Sequence, residues 1–394
     1  MVKLLDIGEI ITGTTPSTKI KEYWGTGYPF VTPSDFTTDK YVNKTEREVT
    51  KTGAEKARLI PKNSVMVTCI ASVGEVAMAS EECVTNQQIN TIICKETINP
   101  HFIYYSMLFE KGRLKRWAGS TTSPIIKKSL FEKFLLSLPS LTEQQKIAEI
   151  LGTVDEAIQR VDEVIEKTKR LKQGLMKELL TKGIGHKEFK DSEIGRIPKE
   201  WRVIKLDDLS LNLIGGGTPS TSNPAFWDGT IPWMTSAYIN RRLVTKGQRN
   251  ITEEGLKNSA TNLIPKENLL ITTRVGIGKV AINVIDMAIS QDLTGIIVDK
   301  TKSTPDFLYW FFISIENKLK GLAQGSTIKG ILREELGRLK VTLPSLSEQQ
   351  KIAEILTTVD LKIEIEEKRR ERLERIKKGL MEELLTGKKR VSVG

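Results

Sequence analysis

The chain has 394 residues and a formal net charge of +11, from 60 Lys and Arg against 49 Asp and Glu, which is length enough for two or more domains. With 39% hydrophobic and 28% charged residues it reads as a globular protein, not as a disordered or membrane-spanning one. The positive excess favours a polyanionic partner, of which nucleic acid is the commonest.

At the N-terminus, Asp6 falls where a signal peptide needs its apolar segment. No later apolar run reaches the ~20 residues of a membrane helix, so a cytoplasmic protein without membrane contact is expected. Residues 65–70 and 91–94 have the β-branched character of strands, and 102–114 predicts a helix opened by Asn99-Pro100. Leu138-Pro139 stops that segment. From 142 to 182 apolar residues recur at steps of three and four: Ile147, Ile150, Val154, Ala157, Val161, Val164, Thr168, Leu171 and Leu175. This is a coiled-coil seam on a helix of roughly 60 Å, with Thr142 and Gln145 at capping-box spacing. Residues 184–203, rich in Gly and charge, read as a linker. Strands at 269–273 and 295–298 follow, then a helix over 307–319 behind Thr304-Pro305, and a second long helix opened by Ser347 and Gln350. Its Lys362, Glu366 and Arg369 interrupt the seam, which is expected to shift to Ile363 and Ile365 or to open there.

The succession is one unit written twice. Leu138-Pro139-Ser140-Leu141-Thr142-Glu143-Gln144-Gln145-Lys146-Ile147-Ala148-Glu149-Ile150-Leu151 recurs as Leu343-Pro344-Ser345-Leu346-Ser347-Glu348-Gln349-Gln350-Lys351-Ile352-Ala353-Glu354-Ile355-Leu356, a shift of 205. Looser matches join Thr15-Pro16-Ser17-Thr18 to Thr218-Pro219-Ser220-Thr221, Trp24 to Trp227, and Gly119-Ser120-Thr121 to Gly325-Ser326-Thr327. The fold class is α+β: globules of mixed α/β character at 1–138 and 204–343, long helices at 139–183 and 344–388, and a basic tail at 389–394. The helices can cover their apolar stripes by packing on each other, antiparallel or parallel.

Between the copies, 17 of 21 positions over 138–158 are identical, 3 of 15 over 159–173 and 7 of 8 over 174–181. Recent duplication does not explain why neighbouring segments of one age diverge unequally. The identical set includes Glu143, Gln144, Gln145, Lys146 and Glu149, with Glu348, Gln349, Gln350, Lys351 and Glu354, most of which a two-helix seam would leave exposed. Two copies of one partner docking at these ends is the expectation, while the drifted globules each read something different.

Catalytic strings are weak or absent. Cys69, Cys83 and Cys94, with His101 and His186, supply neither a zinc spacing nor a histidine-based triad. Asn223-Pro224-Ala225-Phe226 only approximates the motif with which adenine methyltransferases hold their target, and Val275-Gly276-Ile277-Gly278 lacks the setting of a cofactor loop. No catalytic or metal-binding residue is assigned. For nucleic acid the candidates are loop residues: Lys19, Gln87, Thr121, Lys127 and Lys128 in the first globule, and Arg241, Arg242, Arg274, Lys279, Gln291, Thr327 and Lys329 in the second. Arg and Lys can pin phosphates or read guanine, and Gln can pair with adenine. Trp24, Trp227 and Trp233 are expected to pack the core.

A globule ending in Leu-Pro-Ser-Leu, then Glu-Gln-Gln-Lys-Ile-Ala-Glu-Ile-Leu, then Gly-Leu-Met-x-Glu-Leu-Leu-Thr, all repeated, resembles the specificity subunit of type I restriction-modification systems. The linker, with Gly185-His186-Lys187-Glu188-Phe189 and Ile197-Pro198-Lys199-Glu200-Trp201, is similar to that family too. The resemblance implies two target-recognition domains separated by an antiparallel helix pair that acts as a spacer, each domain reading one half of a bipartite, asymmetric site on double-stranded DNA. It implies two copies of a methyltransferase subunit using S-adenosylmethionine, and restriction subunits that use Mg and ATP to translocate and cut, with no cofactor in this chain. A stand-alone methyltransferase or nuclease, and a coiled-coil scaffold without DNA, are the rival readings. The Ile-Pro-x-x-Trp motif precedes only the second globule, so the first is expected to lack an N-terminal strand or cap.

Overall fold

The structure, a computed structural model, describes residues 1–119, 124–322 and 330–391. The chain divides into two compact units, Met1–Glu163 with Glu367–Gly394, and Val164–Glu366. Each unit therefore holds one globule, the first half of its own long helix and the last half of the other. We name the long helices α1 (Leu141–Lys182) and α2 (Leu346–Leu385).

In the first unit most of the strands form two large sheets. Five strands lie in the order Gly8–Thr12, Ile89–Cys94, Val65–Thr68, Val76–Ala79 and Tyr41–Val42, all antiparallel but the last pair. Val65–Thr68 is buried on both faces, because the helix Pro100–Phe109 covers one side and the second sheet the other. That sheet has the order Arg47–Val49, Trp24–Val31, Cys83–Thr85, Leu59–Ile60. The second unit repeats both sheets: Ser210–Gly215, Leu293–Val298, Asn268–Thr272, Val280–Asn283, Leu243–Val244, and Arg249–Ile251, Trp227–Met234, Met287–Ile289, Asn262–Ile264.

The core explains why the units cross the helices. In the first unit Phe102 and Tyr105 pack with Ile147, Ala148 and Leu151 of α1 and with Met381, Leu384 and Leu385 of α2. In the second, Phe307 and Trp310 pack with Ile352, Ala353 and Leu356 of α2 and with Leu179 and Leu180 of α1. Within the first unit Asp155 pairs with Lys377 at 2.6 Å and Asp162 with Arg370 at 2.5 Å, so one helix rises in number as the other falls. The helix pair is antiparallel.

Several sequence expectations are corrected. The helix expected over 102–114 is two, Pro100–Phe109 and Lys111–Trp117, broken at Glu110 (φ −81°, ψ 2°). Its counterpart breaks at Ile315 into Pro305–Ser314 and Glu316–Gly321. At both breaks a left-handed hairpin glycine seats on the chain: a Cβ on Gly74 would meet Lys111, and one on Gly278 would meet Glu316. The coiled-coil seam keeps Ile147, Val154, Val161, Thr168 and Leu175, but its second column is Leu151, Ile158, Ile165 and Lys172, one residue later than expected. Val164 and Leu171 are exposed. On α2 the seam does take Ile363, while Ile365 points to solvent and Glu366 is buried on the seam instead.

The helix caps also move. Ser140 Oγ accepts from Glu143 N and Ser345 Oγ from Glu348 N, so the capping serine stands two residues ahead of Thr142 and Ser347. Finally, the first globule has its N-terminal strand, since Val2–Lys3 pairs with Leu135–Leu136 as Arg202–Lys205 pairs with Lys340–Leu343. What the second globule has in addition is the stretch taken for a linker. It folds into a hairpin, Phe189–Ser192 with Gly195–Pro198, and delivers the fully buried Trp201 to the core.

Candidate nucleic-acid and partner interfaces

Backbone hydrogen bonds draw four loops of each globule to one place. In the first, Thr14 N donates to Thr85 O, Cys69 N to Gln88 O, Ala71 N to Pro124 O and Ile126 N to Cys69 O. The loop 13–19, the turn 86–88, the hairpin tip 69–75 and the segment before Lys127 thus converge. In the second, Gly217 N donates to Ile289 O, Thr273 N to Asp292 O and Ile331 N to Thr273 O. Close approach here demands glycine, because a Cβ on Gly13 would lie 2.1 Å from Asn86 O and one on Gly216 2.1 Å from Ile289 O.

This convergence gathers some candidates and separates others. Lys19, Gln87 and Lys127 are exposed on it in the first globule, and Arg274, Lys279 and Gln291 in the second. Thr15 Oγ1 donates to Gln87 Oε1 at 2.7 Å, and Thr218 Oγ1 to Gln291 Oε1 at 2.5 Å, so the two glutamines have the same setting. Lys128 lies one residue beyond, opening a short helix and paired with Glu132 at 3.7 Å. Arg241 and Arg242 lie elsewhere, before the edge strand Leu243–Val244. The Arg242 side chain is only 16% exposed and pairs with Asp306 at 2.5 Å, which corrects its reading as a free DNA contact. Thr121, Thr327 and Lys329 lie outside the described residues.

The strings weighed for chemistry are accounted for by local structure. Asn223 turns its Oδ1 back onto Ala225 N at 3.1 Å, capping the turn Pro224–Phe226. Val275 to Gly278 is the tip of a β-hairpin, without a helix to receive a phosphate. Burial pushes the thiols of Cys69, Cys83 and Cys94 up to about 12, so none is a ready nucleophile near neutral pH. Trp227 and Trp233 are buried edge to face, as expected, whereas Trp24 is half-exposed.

The repeated helix starts divide into inward and outward residues. Gln144 is buried, accepting from Asn99 N at 2.9 Å and donating to Pro139 O at 2.9 Å. Gln349 does the same with Thr304 N and Pro344 O. Glu143 is also buried and pairs with Arg390 of the C-terminal tail at 2.8 Å. Glu348 accepts from Trp201 Nε1 at 3.0 Å and Ile184 N at 2.9 Å, with His186 Nε2 2.9 Å away. The expectation that these four face an outside partner is therefore corrected, since Gln144, Gln349 and Glu348 hold their own globules to their own helices and Glu143 holds the C-terminal tail. Gln145, Lys146, Glu149, Gln350, Lys351 and Glu354 are exposed in both copies.

A further repeated contact was not foreseen. Tyr105 Oη donates to Asp155 Oδ2 at 2.7 Å, Lys377 pairs with that carboxylate, and Lys40 Nζ lies 3.5 Å from the phenol. Burial, with the Asp155 charge, drives the Tyr105 phenol far above its ordinary value and keeps it a donor. At the shift of 205, Trp310 replaces Tyr105, Lys172 pairs with Asp360, and the indole donates to Thr357 Oγ1 at 3.2 Å. Thr357 stands where the first copy has Gly152, over which the Tyr105 hydroxyl passes. Arg47 and Arg249 were missed too. Each stacks on a tryptophan, 3.5 Å from the Trp24 ring and 4.0 Å from the Trp227 ring, and the repeated Arg-x-Val/Ile-Thr around them was the available signal.

Among the described residues no helix is long and apolar enough to cross a membrane. The family model for the type I restriction modification DNA specificity domain matches residues 1–169 and 198–375. The chain is 28% identical over 410 residues to the type I restriction enzyme MjaVIII specificity subunit of Methanocaldococcus jannaschii, covering 99% of this chain and 93% of that one. It is 25% identical over 407 residues to the MjaIX specificity subunit of the same organism, with the same coverage of 99% and 93%. Its fold is similar to the crystal structure of a type I restriction-modification system S subunit from M. genitalium, with a TM-score of 0.62 at 16% identity, covering 98% of this chain and 95% of that one. The convergent loops and the repeated helix starts therefore belong to a chain of the type I restriction-modification DNA specificity family.

Proposed function

We propose that this chain is the sequence reader of a type I restriction-modification enzyme, with each globule reading one half of a bipartite, asymmetric site on double-stranded DNA. One observation carries this reading: two globules of one fold gather four loops in the same way, yet carry different residues at the hairpin tips among them. Ile70 and Glu75 of the first hairpin tip stand where Arg274 and Lys279 stand in the second. Side chains that differ on a shared frame suit two half-sites of different sequence, since base edges are read by side-chain chemistry. On this reading Lys19, Gln87, Lys127, Arg274, Lys279 and Gln291 face the DNA.

The exposed repeated residues Gln145, Lys146 and Glu149, with Gln350, Lys351 and Glu354, would receive two copies of a methyltransferase subunit that supplies the S-adenosylmethionine chemistry. Restriction subunits would join that assembly with Mg and ATP. On this reading residues 1–138 and 204–343 are the two recognition domains, and the long helices between them set the spacer.

The test is methylation sequencing of DNA from cells that co-express the chain with its methyltransferase subunit. A bipartite motif is expected, and exchanging residues 204–343 for those of another specificity subunit should change one half and leave the other. If the two proteins co-purify and no motif arises, the scaffold reading replaces this one.

A further inference from the structure

We propose that each globule carries the same sequence-independent grip on the DNA backbone, in which a loop pinned at both flanks presents a glutamine amide and a tryptophan-stacked arginine to phosphate oxygens. The inference rests on the DNA-reading role proposed above. The grip is Gln87 and Arg47 about the loop 13–24 in the first globule, and Gln291 and Arg249 about the loop 216–227 in the second.

The two assemblies share a set of bonds. At the start of the loop Thr14 N donates to Thr85 O at 2.8 Å, and Gly217 N to Ile289 O at 3.0 Å. At its end Trp24 Nε1 donates to Ser17 O at 3.2 Å, and Trp227 Nε1 to Ser220 O at 3.0 Å. Between these points the threonine hydroxyl engages the glutamine oxygen in both copies, and a buried proline, Pro16 or Pro219, fixes the backbone. The Trp24 and Trp227 rings then carry a guanidinium on their faces.

Repetition separates two kinds of contact. Two half-sites differ in their bases but share the phosphodiester chain, so a device kept alike in both globules suits the shared part, and residues that differ suit the bases. The loop keeps Thr-Pro-Ser-Thr in both copies, while the hairpin tips beside it have exchanged Ile70 and Glu75 for Arg274 and Lys279. The chemistry agrees. With its oxygen accepting from threonine, the glutamine turns its NH2 outward as a donor, which a phosphate oxygen satisfies. A guanidinium lying on an indole keeps its edge N–H groups free for a phosphate while its flat face is covered. Arg47 is exposed, and Arg249 is 46% exposed with its nearest carboxylate, Asp228, at 3.9 Å.

The experiment uses the full chain in complex with its methyltransferase subunit. Binding to a duplex bearing the methylated motif, and to one with both half-sites scrambled, is followed over a salt series. Arg47→Gln and Arg249→Gln should each flatten the slope of log K against log salt by about 0.9, and the pair by about twice that, because each releases one counterion fewer. Both duplexes should lose affinity by the same factor and the methylated motif should not change. Arg47→Lys, which keeps the charge, should keep the slope, guarding against a loss that merely reflects misfolding. Gln87→Ala and Gln291→Ala should weaken both duplexes by about tenfold, with the slope unchanged. A motif relaxed at one position would make these residues base readers, and an unchanged slope in the arginine variants would make them packing residues; either overturns the grip. A wild-type complex that binds no DNA would instead overturn the underlying reading.

Discussion

Gln349 has no exposed surface, and both ends of its amide are engaged: Oε1 accepts from Ser303 Oγ and Thr304 N, while Nε2 donates to Lys302 O and Pro344 O. Gln349→Leu would strand several of these groups away from water, and the expected loss is about 2 to 4 kcal/mol in urea unfolding of the full chain. Gln350→Ala, one residue on and exposed, should stay within about 0.5 kcal/mol. On the proposed docking role it should weaken capture of the methyltransferase subunit instead. The repeat drew attention to Gln144 and Gln349 but to the wrong cause. A polar side chain kept in both copies can serve an outside partner or its own globule, and only the folded contact with Asn99 or Thr304 decides. His101 gives a residue-scale test by pH. Burial, then the nearby Lys40, hold its imidazole below the ordinary 6.5. The folded value lies below the unfolded one, so the stability it contributes is present above about 6.5 and is lost as pH falls through that window. With two histidines in the chain, NMR should resolve a ring that stays neutral below pH 6.5.

The long helices show why elements were easier to find than their faces. The spacing of Ile147, Val154 and Val161 locates α1, but apolar residues stand at both 150 and 151, 157 and 158, and 164 and 165, so two seam registers are open in the sequence. The fold takes Leu151, Ile158 and Ile165, bulkier together than Ile150, Ala157 and Val164, which leaves the buried column filled with larger aliphatic groups. The charges on the seam were equally hard to place, because Lys377 finds its partner on another helix, 222 positions away in sequence at Asp155. The Asp155 and Lys377 side chains are each about one-fifth exposed, at 23% and 21%, and Tyr105 also depends on that carboxylate. Asp155→Ala should therefore destabilise by about 2 kcal/mol, short of a fully buried pair. Lys377→Met in that background should recover part of the loss, and a double-mutant cycle read by urea unfolding should return a coupling of about 1 kcal/mol. Coupling near zero would mean that the pair is solvated and that Tyr105 alone anchors the globule.

For the molecule as a whole, duplication was legible at once, but the division into units was not. Sequence order puts each helix with the globule before it, whereas the fold completes each core with the far end of the other helix: Met381, Leu384 and Leu385 in the first unit, Leu179 and Leu180 in the second. Such long-range packing leaves no local signature. It does leave a consequence, because Met176, Leu179 and Leu180 are the repeat equivalents of Met381, Leu384 and Leu385. A chain cut to residues 1–183 loses the α2 segment that covers Ile147, Ala148 and Leu151, yet carries its equivalent on its own α1. A second copy can supply it, and a two-fold pair satisfies both copies with the same contact. Residues 1–183 should therefore sediment as a concentration-dependent dimer, and Leu179→Glu with Leu180→Glu should abolish it. Co-expressed with the methyltransferase subunit, that dimer should yield a symmetric motif built from two copies of the first half-site. A stable, folded monomer of 1–183 would mean that the first globule and its own helix suffice, and that the cores do not require the exchange of helix ends.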